Sequence, residues 1–221
     1  MANAAIAWLG VAGVLTLELL DGYGSLGFDP EPGLYGVRPP GWPGALGRLE
    51  DAVSYFTLWS NVMCAVAMTL VARRPRTDAF WTWALRLSAL LMITITAIVY
   101  AVVLAPTITL RGWSLVTNPW QHIVVPVVTV LVWLIWGPRG RLAWRHVPGA
   151  LVVPLVWVAF MLVRGAIDGT YPYGFTNVAA HGYPTVLAII GGVLAFGLVL
   201  GAAFVLLDAL LARVQRGVQG R

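Results

Sequence analysis

Lysine is absent from this chain of 221 residues, cysteine occurs once, histidine three times, and charged residues make up only 10%. Each scarcity excludes something. The single thiol, Cys64, lies in an apolar stretch, so neither an internal disulfide nor a cysteine-based zinc centre can form. A charged fraction so far below the roughly 25% of soluble domains, beside 59% hydrophobic residues, excludes water as the main solvent. The formal charge of +5 rests on arginines gathered in short runs between apolar stretches. That pattern suits lipid headgroups and argues against nucleic acid. No internal repeat marks the inverted halves of a transporter, and no second domain is evident.

What is abundant is apolar sequence in segments long enough to span a bilayer, which takes roughly 20 residues because unpaired backbone is not tolerated in hydrocarbon. Six segments qualify: Ala4 to Leu20, Ala52 to Ala72, Trp83 to Leu104, Pro119 to Trp136, Pro148 to Arg164 and Pro184 to Leu207. The first lacks the basic start and cleavage site of a signal peptide and is expected to be retained. Arg73, Arg74 and Arg76 follow the second segment, Arg139, Arg141 and Arg145 the fourth, and Arg213, Arg216 and Arg221 the sixth. The alternate loops hold only Arg38, Arg48 and Arg111, and the first of them is acidic through Asp21, Asp29, Glu31, Glu50 and Asp51. The expected fold is therefore an all-α bundle of six transmembrane helices with both termini cytoplasmic, multi-pass in a bacterial inner (plasma) membrane. Residues 21–51, rich in Gly and Pro, are expected to form an outer loop without regular structure. Gly197 and Gly201 make a small-xxx-small pair that permits close helix packing and marks a possible dimer face.

Polar groups inside spans are costly and so point to function. Ser54, Thr57, Asn61, Cys64 and Met68 recur at helical spacing and should form one inward face. His122, Pro126, Thr129 and Trp133 repeat the pattern on the fourth span. With about 1.5 Å rise per residue, Thr57 and His122 lie within one layer, roughly 5–8 Å below the outer surface. Glu18, Tyr100, Arg164, Asp168, Tyr171 and Tyr173 belong to the same level, and His181 lies in the last outer loop. The bland readings are that Thr57 bonds back to its own helix and His122 merely packs. In the same vein Arg164 and Glu18 form a structural clamp, Arg86 snorkels to the inner surface, and His146 is solvated.

Tyr55-Phe56-Thr57-Leu58-Trp59-Ser60-Asn61, His122-Ile123-Val124-Val125-Pro126, Arg164-Gly165 and Gly169-Thr170-Tyr171-Pro172-Tyr173-Gly174-Phe175 occur in that order. From the second span onward the chain resembles the bacterial Pr-six-Pr integral membrane proteins. More distantly it resembles the animal androgen-induced and androgen-dependent membrane proteins, six-span threonine hydrolases of fatty acid esters of hydroxy fatty acids. The resemblance implies that Thr57 is the nucleophile and His122 the base, although the step from histidine to proline is one residue shorter here than in the animal pattern. Asn61, Arg164, Asp168, Tyr171 and Glu18 are then the supporting or substrate-binding residues. No metal or other cofactor is expected; the expected partners are membrane lipids and a fatty ester substrate.

A threonine hydroxyl needs a base within hydrogen-bond reach to attack an ester at neutral pH, which is the role His122 would take. Two other classes compete. A metal-dependent membrane hydrolase would gather His122, His181 and Asp168 as ligands. A small transporter or membrane interaction protein would need no meeting of Thr57 with His122.

Overall fold

The computed structural model describes residues 2–24, 31–36 and 38–219, so Asp29 and Arg221 lie outside the described residues. The chain is an all-α bundle with six helices long and apolar enough to cross a membrane. They are α1 (Ala2–Leu19), α3 (Phe56–Arg73), α4 (Phe80–Val99, extended by a π turn Tyr100–Leu104), a combined span of α5 (Ser114–Pro119) and α6 (Val125–Trp136), α7 (Val147–Asp168) and α8 (Val178–Gln219). An even number of crossings returns α8 to the face on which α1 begins. That face also carries the arginine-rich loops; the opposite one, carrying Thr57, is the site face.

α4 is the hub, packing against α3, α6, α7 and α8, while α1 closes the other side against α3 and α6. Its middle turns explain why: Leu87, Ala89, Leu90, Met92 and Ile93 are all fully buried. Large apolar residues on the other helices, such as Leu131, Val163, Val199 and Leu206, instead face outward, as expected where lipid replaces water. Gly197 and Gly201 of α8 lie against Ile95 and Leu91 of α4, so the close approach they permit is spent within the chain.

Residues 21–51 are not without regular structure. A short helix, α2 (Ala45–Ser54), runs up to α3, and the two are separated by Tyr55, whose backbone is extended. Composition hid this helix, because it is amphipathic and contiguous in sequence with an apolar run. Its end is held by indoles: Trp59 Nε1 donates to the Val53 carbonyl at 2.7 Å and Trp157 Nε1 to that of Ser54 at 3.0 Å. Carbonyls that a continuous helix would have paired are thereby satisfied.

Prolines shape the fourth span. A proline at position 126 has no N–H for the carbonyl four residues earlier and crowds it. That carbonyl belongs to His122, and the chain responds by widening into a π turn, Trp120–Val124, closed by Val125 N–H on the Trp120 carbonyl. The span thus begins earlier than Pro119 and passes through it. α7 runs on to Asp168 and stops at Gly169, which is left-handed at φ 69°. In α8 the helical path breaks at Gly182 (φ 73°), two residues before Pro184.

Loops on the site face are knitted together. The Tyr171 N–H donates to the Gly33 carbonyl at 2.8 Å, and Asn177 Nδ2 to Pro32 at 2.8 Å. Arg48 reaches the carbonyls of Glu18, Pro39 and Gly41. Asp51 takes two bonds of 2.8 Å from Arg38 and one of 2.7 Å from Arg164, which also holds Asp168 at 3.0 Å. Arg164 therefore clamps α7 to α2 through Asp51, and the clamp expected with Glu18 does not form. On the opposite face Arg86 does not snorkel: it is 3% exposed and donates to the Met68 sulfur. His146 is likewise buried, accepting the Ala143 N–H on Nδ1 at 3.1 Å.

Candidate active site

Thr57 stands in the first turn of α3 and His122 in the π turn of the fourth span. Their side chains meet, with Oγ1 3.0 Å from Nε2. The direction of the bond follows from the other ring nitrogen. His122 Nδ1 lies 2.9 Å from the Asn118 main-chain carbonyl, which only accepts, so Nδ1 carries the proton and Nε2 offers its lone pair. The Thr57 hydroxyl is therefore the donor to His122. The ring is fixed from the side by Tyr100, stacked at 4.2 Å between centroids and 20° between planes. Both partners of that stack sit at π turns, which place side chains where a regular helix would not.

Hydroxyl, imidazole and an acceptor orienting the imidazole are arranged in the same order as the groups of a catalytic triad, with a main-chain carbonyl in the third position. Asn61 supports it from below, donating through Nδ2 to the Thr57 carbonyl at 2.8 Å and to the Gln121 carbonyl at 3.3 Å. One amide thus ties the backbone of Thr57 to the backbone beside His122. The inward stripe Ser54, Thr57, Asn61, Cys64, Met68 is buried throughout, although Ser54 belongs to α2.

On its other side Thr57 borders a narrow apolar cavity of about 80 Å³ between α3, α4, α7 and α8. Tyr173, Phe175 and Trp157 wall it near Thr57, while Leu91, Leu151 and Gly197 line its far reaches. Along α4 the lining runs from Leu104 to Leu91, roughly 20 Å at 1.5 Å per residue. The cavity therefore extends from the site face deep into the membrane layer. His122 does not line it, so Thr57 separates the imidazole from the cavity.

The remaining expected residues are placed elsewhere. Arg164 and Asp168 belong to the clamp described above. Tyr171 packs its ring against Gly165, leaving no room for a β-carbon there. Glu18 lies on α1, where its main chain accepts from Arg48. None of these four lines the cavity. His181 is exposed, and among the described residues no three of His, Cys, Asp and Glu gather as a metal-binding group.

Three features were not legible in advance. The Asn118 carbonyl is a main-chain group without a side-chain signature, although Pro119 and Pro126 around His122 signal irregular backbone. The cavity is built from uniformly apolar helices that carry no marker of a void. Tyr173, read only as a residue at the outer level, enters the site itself. Its ring lines the cavity beside Phe56 and Thr57, and burial pushes its pKa up to about 12.

The chain matches no protein-family model, no curated protein and no solved structure.

Proposed function

We propose that the protein is a membrane-embedded hydrolase of single-chain fatty esters that uses Thr57 as nucleophile and His122 as general base. The observation carrying this reading is that the Thr57 hydroxyl, donating to His122 Nε2 at 3.0 Å, stands between that base and an apolar cavity long enough for an acyl chain. A packing threonine has no reason to be hydrogen-bonded to an oriented imidazole on one face and to border a void on the other. The sequence resemblance to six-span threonine hydrolases points to the same two residues.

In the reaction, Thr57 Oγ1 attacks the ester carbonyl as its proton passes to His122 Nε2. The tetrahedral adduct collapses when His122 gives that proton to the departing alcohol, leaving an acyl-threonine. Water, deprotonated by the same nitrogen, attacks the acyl carbon and releases the fatty acid, and the proton returns to Thr57. The Asn118 carbonyl stabilises the imidazolium in both halves by accepting from Nδ1–H.

Arginine-rich loops at the far end orient the bundle by the positive-inside rule, with the site near the outer surface of a plasma membrane. Water reaches a catalytic layer at that depth, and the alkyl chain stays in the hydrocarbon layer.

Cavity length makes the proposal measurable. At Gly197 a β-carbon would sit 3.4 Å from Ile95, an ordinary contact, whereas a phenyl ring would fill the far end of the cavity. Displacing two or three methylenes at about 0.8 kcal/mol each costs about 2 kcal/mol, or about 30-fold in kcat/KM. Purified Gly197→Phe protein should therefore lose about that factor on a sixteen-carbon 4-nitrophenyl ester while keeping its rate on a four-carbon one. Equal losses on both esters would place the chain elsewhere.

A further inference from the structure

Ester cleavage through Thr57 requires donors aimed at the oxygen that becomes negative, and neither Asn61 nor Arg164 is placed to supply them. Asn61 Nδ2 is committed to the carbonyls of Thr57 and Gln121. Arg164 is committed to the Asp51 and Asp168 carboxylates and to the Glu50 carbonyl. Two other groups remain. α3 begins without a side-chain cap, and while Leu58 N–H bonds back to the Tyr55 carbonyl, the N–H groups of Phe56 and Thr57 have no main-chain acceptor among the described residues. Beside them is Tyr173, 8% exposed, whose ring lines the cavity together with Thr57 and Phe56.

The Tyr173 ring cannot swing away. It is stacked on Phe175 at 5.1 Å, meets Tyr55 edge-on at 5.5 Å and lies 6.4 Å from Trp157. Its own backbone is fixed by Thr176, whose hydroxyl donates to the Tyr173 carbonyl at 2.9 Å. Preorganised donors of this kind need no rearrangement as charge develops, which is the source of their effect on rate.

Resting on the hydrolase reading above, we infer that Tyr173 is a catalytic residue, its hydroxyl forming with the Thr57 main-chain N–H the oxyanion hole of the ester-cleaving site. As Oγ1 bonds to the carbonyl carbon, the π electrons of the C=O move onto its oxygen. That oxygen accepts hydrogen bonds from the Tyr173 O–H and the Thr57 N–H without taking either proton. When the adduct collapses the electrons return to re-form the C=O and the alcohol leaves with the proton held on His122. The same seat serves the second, water-driven half.

The discriminating experiment compares wild type, Tyr173→Phe and Thr57→Ala in detergent on a long-chain 4-nitrophenyl ester. It also measures inhibition by a trifluoromethyl ketone of the same chain length, which adds to Thr57 as a tetrahedral oxyanion. Tyr173→Phe keeps the aromatic packing and is expected to lose about 10²- to 10³-fold in kcat with KM within about twofold. Its affinity for the ketone should fall by a similar factor, while its affinity for a non-hydrolysable ether of equal length stays unchanged. Unaltered kcat in Tyr173→Phe, with Thr57→Ala inactive, overturns this inference and leaves the hydrolase reading standing. A rise in KM alone, or equal losses for ketone and ether, assigns Tyr173 to packing and also overturns it. Equal turnover by wild type and Thr57→Ala removes the parent reading. Should Tyr173→Phe fold poorly by its thermal midpoint, 3,5-difluorotyrosine at position 173 keeps the shape. In that protein kcat should fall at alkaline pH as the more acidic phenol ionises and ceases to donate; a profile identical to wild type contradicts the role.

Discussion

Thr57→Ala and His122→Gln are each expected to reduce ester turnover by about 10⁴-fold or more, and the double variant by no more than the worse single one. The non-additivity follows from the geometry: a base with no hydroxyl to deprotonate, or a hydroxyl with no base, leaves the same residual catalysis by binding alone. Neither change should unfold the protein. The Asn61 bond goes to the Thr57 main chain rather than its hydroxyl, and the bundle around the site is held by α4. Steady-state hydrolysis by the purified variants, with thermal midpoints measured in parallel, checks this. Turnover within tenfold of wild type in a folded Thr57→Ala protein contradicts it.

The second large effect is on stability. Asp51 is 8% exposed and accepts hydrogen bonds from two guanidinium groups that come from different parts of the chain, Arg38 of the loop and Arg164 of α7. Removing the carboxylate leaves Arg164, with 10% of its side chain exposed, holding the more solvated Asp168, the Glu50 carbonyl and the Ser54 hydroxyl as acceptors. Breaking one partner out of a buried pair costs about 3–5 kcal/mol, and the retained Asp168 reduces this to about 2–3 kcal/mol for Asp51→Ala. Arg164 also lies 4.5 Å above the Tyr35 ring, and Tyr35 meets Tyr55 edge-on at 5.7 Å. The loss should therefore spread to the aromatic wall beside Tyr173, lowering activity as well as the unfolding midpoint. Denaturant unfolding in mixed micelles measures it, and a loss below about 0.5 kcal/mol shows the clamp to be ornamental.

Much of this architecture was legible because its causes are local and repetitive. Six apolar runs and alternating arginine clusters announce a helical membrane bundle, and the three-four spacing from Thr57 to Met68 announces an inward polar face. Depth puts Thr57 and His122 in one layer together with several other polar groups, and it is the resemblance carried by the motifs around them that singles out this pair. Boundaries and partners were harder. α2 was invisible because only tertiary contact, through the indoles of Trp59 and Trp157, makes a break at Tyr55 tolerable. Glu18 was paired with Arg164 on level and charge, but Asp51, one turn before the break, lies nearer to α7. Position near span ends suggests that Arg86 snorkels and that His146 is solvated, yet the packing of α4 and α7 buries both. Asp208, fully buried with Oδ2 accepting the Leu142 N–H at 2.9 Å, fell just beyond the last apolar run and gave no warning.

Covalent trapping tests the central claim most directly. A long-chain fluorophosphonate incubated with the purified protein should add one phosphonyl group, and peptide mass spectrometry should place it on Thr57. Labelling should vanish in Thr57→Ala and slow by orders of magnitude in His122→Gln. A phosphonyl group found on another residue, or one that persists undiminished in Thr57→Ala, contradicts the account.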